Sequence, residues 1–366
     1  MIRYAGKNRW TVNYLKTIYF DHPEWTPCSI GFLPATWMEH RQSLEDLVLE
    51  HPRVFPGFRK GSVDFDCKTM WNPLYELGRH TDCWGTVWNN IARGLDSQVE
   101  VEPLADWSAF DAWKQKLPDP LTDGEWGPRP SWDDVKKGFD DAGKSGGLAG
   151  GGGLMHGHFF MRLYYLRGFE NLMVDIATDE PRLHELIAIL TDYNAAVVRK
   201  HLELGPEIMY FGEDLGMQTS LPISPTAWRK FVKPSYETTL GPCRDRGVPV
   251  YLHSDGHILE IIPDLIETGV RVLNPQIRAN GLEGLQRCAR GKVALNQDLD
   301  RQLFPFASPS QIEDHVAEVF EGLYLKEGGL MLLAECGPDV PLANIDAICK
   351  TFEKLCNLPD QPAAGD

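Results

Sequence analysis

No stretch of 18 consecutive apolar residues occurs in the 366-residue chain, so no membrane-spanning helix is expected. Positive charge is in short supply: 36 Lys and Arg stand against 52 Asp and Glu, for a net charge of −16 and a pI near 5.1. A surface of that sign repels phosphate backbones and anionic lipid, which excludes nucleic acid and membrane as partners. No CxxC pair is present. The eight cysteines, at 28, 67, 83, 243, 288, 336, 349 and 356, are scattered as reduced thiols of a cytoplasmic protein are, not paired as a disulfide framework. The opening "MIRYAGKNRWTVNYLK" has charge but lacks an apolar core and a small-residue cleavage site, so it does not read as a secretory signal. Internal repeats are missing too, and the low-complexity content is limited to glycines between 146 and 153.

What is there is an ordinary globular composition, 43% hydrophobic and 24% charged, with a rhythm in its C-terminal half. Short apolar runs at 207–211, 248–253, 270–274, 292–296 and 329–335 alternate with amphipathic segments. Residues 181–204 predict a long helix, with Asp179 as its cap, Pro181 in its first turn and Gly205 at its end. Strands alternating with helices imply a mainly parallel sheet. "CSIGFLP" (28–34) and the segment 154–159 add two strands, and 80–88 is the weak candidate for an eighth. The expected class is α/β, a (β/α)8 TIM barrel with N-terminal and loop insertions, formed by residues 1–366 as one domain. Residues 100–150, rich in Pro, Asp, Trp and Gly, read as an insertion and active-site loop.

Two glycine motifs invite a phosphate-binding reading and fail it. "GFDDAGKS" (138–145) fits G-x-x-x-x-G-K-[ST], but no hydrophobic strand precedes it, and Asp140 and Asp141 would repel an anion. The glycines at 146, 147 and 150–153 lack the strand-to-helix context of a dinucleotide fingerprint and suggest a mobile loop or a surface linker.

The informative pattern lies after the apolar runs. Gly212-Glu213-Asp214, His253-Ser254-Asp255, Asn274 with Gln276, Asn296-Gln297-Asp298 and Glu335-Cys336 each follow a strand. In an α/β barrel these C-terminal ends share the face on which active sites are built. Imidazole, carboxylate and thiolate are all zinc donors, so His253 and Cys336, 83 residues apart, with Asp255, Glu335 and Glu213, form the candidate metal set. Each has a plainer role available: Asp255 as a helix cap for 257–262, Cys336 as a small buried apolar group, His257 as a structural histidine. Glu213 and Asp214 are equally suited to catalysis or substrate binding. His156 and His158 share one face of a strand and are substrate-binding candidates, as are Asn274, Gln276 and Asn296.

The segments "YFGEDLGMQTSLPISPTAWRKFVKPSYETTLGPC", "HSDGHILEIIPDLIETGVRVLNPQ" and "AECGPDVPLANIDAI" resemble the uroporphyrinogen decarboxylase superfamily. The likeness is greater to its methyltransferase-like branch, which serves corrinoid-dependent demethylation. "LPATWMEHRQSLEDLVLEHPRVFPG", "WGTVWNN" and "PLADW" extend the likeness over most of the chain. The resemblance implies a barrel, a zinc ion, and methyl transfer from a small methoxylated or methylated-amine donor to cobalamin carried on a separate corrinoid-binding protein. His253 matches the family histidine and Cys336 its distal cysteine, whereas Asp255 stands where the first cysteine belongs. Such a site is harder and suits an oxygen-bearing substrate. Asp82 in "HTDCWG" corresponds to the decarboxylases' site aspartate, and Trp84 and Trp88 are placed to stack an aromatic ring. The decarboxylases' "RQAGR"-like stretch is missing, although Arg41 lies in its neighbourhood. A metal-free decarboxylase or lyase, and a barrel that binds without catalysing, are the competing expectations; a homodimer is left open.

Overall fold

A computed structural model describes residues 4–66, 72–152 and 157–360. Among them are seven strands of parallel pairing: β1 (Cys28–Phe32), β2 (Gly150–Gly151), β3 (Ile208–Asp214), β4 (Val250–Asp255), β5 (Val270–Pro275), β6 (Ala294–Asp298) and β7 (Leu330–Cys336). The helices used below are α1 (Pro34–Glu50), α2 (Trp132–Lys144), α3 (Phe160–Arg167), α4 (Pro181–Leu204) and α5 (Leu342–Leu355). The class is α/β and TIM-barrel-like, as the strand–helix alternation predicts. The chain divides into two compact units, one of Met1–Thr11, Gly78–Asn90 and Ser97–Asn274, the other of Val12–Leu77, Ile91–Asp96 and Pro275–Asp366.

In the first unit the order is β2-β3-β4-β5. Strand β4 alternates buried and half-buried positions, so Val250, Leu252 and Ser254 face one way and Tyr251, His253 and Asp255 the other. The register pairs Gly212 with His253 and Asp214 with Asp255, which sets the two aspartates side by side on one face. Glu213 therefore points to the opposite face. The expected eighth barrel strand at 80–88 is instead an antiparallel ribbon: Gly78–Thr81 pairs with Val87–Asn90, which pairs with Gln98–Val101. The glycines at 150 and 151 form strand, not mobile loop, and a Cβ at Gly151 would meet the Met209 sulfur at 2.2 Å. "GFDDAGKS" lies almost wholly within α2, so it is a helix where a phosphate loop would need a turn. The N-cap of α4 is Glu180, whose carboxylate accepts from the Arg182 amide; Asp179, left-handed at φ 56°, ends the preceding helix. Pro181 and Gly205 stand as expected.

In the second unit β1 pairs with β7 and β7 with β6, Phe32 lying beside Cys336 and Gly31 beside Glu335. Helix α5 turns Ile345, Ile348, Cys349 and Phe352 into this unit's core. Among the described residues, no helix is long and apolar enough to cross a membrane.

Candidate metal centre

Among the described residues one group offers three ligand atoms within 4.8 Å of one another: Asp214, His253 and Asp255, all half-buried. Its origin is the β3–β4 register, since two neighbouring strands present carboxylates at their last residues and β4 adds the imidazole two residues earlier. His253 Nε2 lies 3.2 Å from Asp255 Oδ1. On the ring's other side Nδ1 donates to Asn274 Oδ1 at 2.8 Å, and Asn274 comes from β5. Burial pushes the imidazole down, but the Asp255 hydrogen bond and charge, the Asn274 bond and the Asp214 charge outweigh it and carry it up to about 9. Were a metal to replace that proton, Nε2 would be the ligand nitrogen, with the Asn274 bond holding the ring orientation and tautomer.

The strand ends are held by a glycine contact. Gly256, at φ +82°, packs on Gly216, where a Cβ on Gly256 would sit 2.1 Å from the Gly216 carbonyl oxygen. Three hydrogen bonds complete the clasp: Leu215 N to Ser254 Oγ, Gly216 N to the Asp255 carbonyl, and His257 N to the Met217 carbonyl. His257 itself turns aside to Glu260 at 3.1 Å.

Sequence reasoning set Asp214 among the catalytic or substrate-binding residues rather than the metal ligands, and it passed over Tyr164. That hydroxyl is pushed well up by burial and by the charges of Asp214, Glu213 and Asp255, so it stays neutral beside the group. Tyr165, whose ring lies 4.8 Å from it, is likewise held protonated, chiefly by burial. No spacing rule flags these tyrosines, because they sit on a helix and not at a strand end.

Several predicted residues serve the fold. Glu213 accepts the amides of Phe159, Phe160 and Met161 and so caps α3; burial carries its carboxyl up to about 8 against the pull of those donors. Asp82 is fully enclosed. Its oxygens accept from the Trp84 and Thr86 amides at 3.0 and 2.9 Å, Trp88 Nε1 at 3.1 Å and Arg162 Nη1 at 2.6 Å, and Arg162 also holds Glu125. Trp84 and Trp88 are buried, packed against Tyr193 and Tyr165 with ring centroids 4.9 and 4.7 Å apart. His158 is buried between Phe211 and Tyr236, and burial lowers it to about 3. His156 lies outside the described residues.

In the second unit Glu335 pairs with Arg301 at 2.7 Å. Cys336 is fully buried, its carbonyl accepts from Thr36 Oγ1, and burial with the charges of Glu335 and Asp339 pushes its thiol well up. Gln276 bridges to Asp298, and Asn296 stands half-buried beside Met331.

Residues 155–355 match the family model for uroporphyrinogen decarboxylase (URO-D). A curated relative, uroporphyrinogen decarboxylase of Nocardia farcinica (strain IFM 10152), is 31% identical over 144 residues, 39% of this chain and 38% of its own length. The chain thus spans about two fifths of that relative. A solved structure, a methyltransferase from Methanosarcina mazei, covers 74% of this chain and 76% of its own at 17% identity and a TM-score of 0.51, a likeness of fold. With more than half of its length matched by the family model, the chain belongs to the uroporphyrinogen decarboxylase (URO-D) family.

Proposed function

We propose that the chain is a zinc-dependent methyltransferase, moving a methyl group from a small methoxylated or methylated-amine donor to cob(I)alamin on a separate corrinoid protein. The observation that carries this reading is the convergence of Asp214, His253 and Asp255 within 4.8 Å, with Asn274 on the far imidazole nitrogen. One nitrogen and two oxygen donors fit zinc, and three protein ligands leave a position for substrate. When bound, the ion supplies Lewis acidity to the oxygen or nitrogen that bears the methyl group. The rest is the chain's work. Asn274 keeps the proton on Nδ1, the two aspartates supply the compensating charge, and Tyr164 keeps its proton under the influence of those carboxylates.

A decarboxylase reading draws on the matched family and on the printed name of the Nocardia relative. Against it, every oxygen of Asp82 that such a reaction would use is already engaged by protein donors. The test is metal analysis of the purified chain together with spectrophotometric conversion of cob(I)alamin to methylcobalamin. About one zinc per chain and turnover with a methoxylated donor support methyl transfer. A chain that takes up no zinc sinks it, and CO2 release from a carboxylated substrate supports the decarboxylase instead.

A further inference from the structure

The cysteines carry no pairing pattern in sequence, yet the fold brings four of them together in the second unit. Cys28 opens β1, Cys336 ends β7, Cys349 lies within α5 and Cys356 caps that helix at its C-terminus. Cys349 and Cys356 stand seven residues apart, on one face of α5. Cys336, Cys349 and Cys356 are buried and Cys28 is half-buried. Backbone bonds fix the start of β1 against the end of α5. Thr26 N donates to the Cys356 carbonyl at 3.0 Å, and Asn357 Nδ2 donates to the Glu24 carbonyl at 3.0 Å. Buried Asn13 secures the same segment, its Oδ1 accepting the Glu24 and Trp25 amides and its Nδ2 donating to the Trp25 carbonyl.

The side chains follow the backbone: the Cys28 thiol is hydrogen-bonded to the Cys356 sulfur. That bond, burial and the neighbouring Cys349 and Glu353 hold the Cys28 thiol well above its ordinary range, so the pair stays reduced against weak oxidants. Sulfurs held in such contact bond by side-chain rotation alone. Cys356 also lines a cavity of about 300 Å³ with Trp25, Thr26, Tyr324 and Leu355, which has room for a small peroxide.

We propose that Cys28 and Cys356 are a modification site at which hydrogen peroxide forms a reversible disulfide, tying the first strand of the barrel to the last helix. In the first step one sulfur of the pair attacks a peroxide oxygen, the O–O bond breaks and water leaves, giving a sulfenic acid. The other sulfur then attacks that sulfur, the S–S bond forms and a second water leaves. Two thiols are oxidised, one peroxide is reduced, and both thiol protons end in the waters. The bridge closes a loop of nearly the whole chain, and a cross-link over so long a loop takes the most freedom from the unfolded state. A dithiol reductant reverses it by exchange.

The test is peroxide treatment of the full chain, followed by alkylation of free thiols and tryptic mapping by mass spectrometry without reductant. Lys350 and Lys354 lie between Cys349 and Cys356, so trypsin separates those two thiols. The expected product is one peptide pair joining Cys28 to Cys356, lost on adding dithiothreitol. The oxidised chain melts about 5 °C higher than the reduced one, and Cys28→Ala and Cys356→Ala each abolish both the bridge and the rise. Should either variant fold poorly, the map of the native chain decides alone. Half-buried Cys288, on another helix, reports general oxidation. A bridge from Cys356 to Cys349, a Cys28 that still alkylates fully once Cys288 is oxidised, a sulfinic acid on either sulfur in place of the bridge, or a melting rise that persists in Cys28→Ala overturns the assignment.

Discussion

At the scale of single residues, the candidate metal centre separates side chains by the face they occupy. Asp214, His253 and Asp255 share one face of β3 and β4, while Cys336 is enclosed in its own unit with its thiol held protonated. Asp214→Ala and His253→Ala are therefore expected to lose bound zinc on metal analysis, whereas Cys336→Ser retains it. Zinc lost from the serine variant alone would return the thiolate to the ligand set. Asn274→Ala removes the bond that orients the imidazole and weakens zinc binding by about 10–100-fold without abolishing it. His158 supplies a pH dependence of its own. Its folded value of about 3 lies below the ordinary 6.5, so its contribution to stability is complete above 6.5 and is lost as pH falls toward 3. In that window the unfolding free energy declines by about 1.4 kcal/mol per pH unit on this account alone. Urea unfolding between neutral and mildly acidic pH should show stability changing with pH less favourably on acidification in the native chain than in His158→Gln, the difference between the two slopes being the His158 contribution. Equal slopes would show that another group governs acid sensitivity.

At the scale of elements, the site depends on how two strand ends are clasped. Gly256 and Gly216 touch where no Cβ fits, because the three atoms nearest the added one are all Gly216 backbone. Gly256→Ala forces the loops after β3 and β4 apart and pays for a left-handed alanine as well. The expected cost is about 2–4 kcal/mol of stability, with zinc affinity falling further than in a surface alanine substitution, read by chemical denaturation and a competitive chelator titration. A Gly256→Ala chain with native stability and native zinc affinity would mean that the clasp plays no part in holding the ligands. The same alternation explains why Glu213 cannot join Asp214. One residue along a strand reverses the face, and Glu213 spends its oxygens on the first amides of α3.

For the whole molecule, much of the architecture was legible in sequence. Apolar runs bounded by polar strand ends located β3, β4, β5, β6 and β7 closely, and His253 and Asp255 stood out because β4 ends in ligands where turn residues are usual. Legibility failed where meaning depends on partners distant in sequence. "HTDCWGTVW" is a weak strand signal, and the segment forms parts of two antiparallel strands about the turn that holds Asp82, whose partner Arg162 lies eighty residues on. Sequence grounds leave Asp214 among the catalytic or substrate-binding residues because only the β3–β4 register sets it against Asp255. Net charge poses the last question, since a chain at −16 attracts any divalent cation and thereby gains some thermal stability without a specific site. A specific site behaves differently. Zinc at 100 times its dissociation constant stabilises the folded chain by about 2.7 kcal/mol, whereas magnesium at equal ionic strength, a poorer match for imidazole, gives only the diffuse effect. Melting scans should therefore show a zinc-dependent rise of a few degrees that magnesium does not reproduce and that His253→Ala abolishes. Equal shifts from both ions, or a zinc shift that survives in His253→Ala, would assign the stabilisation to bulk charge and remove the metal centre from the function.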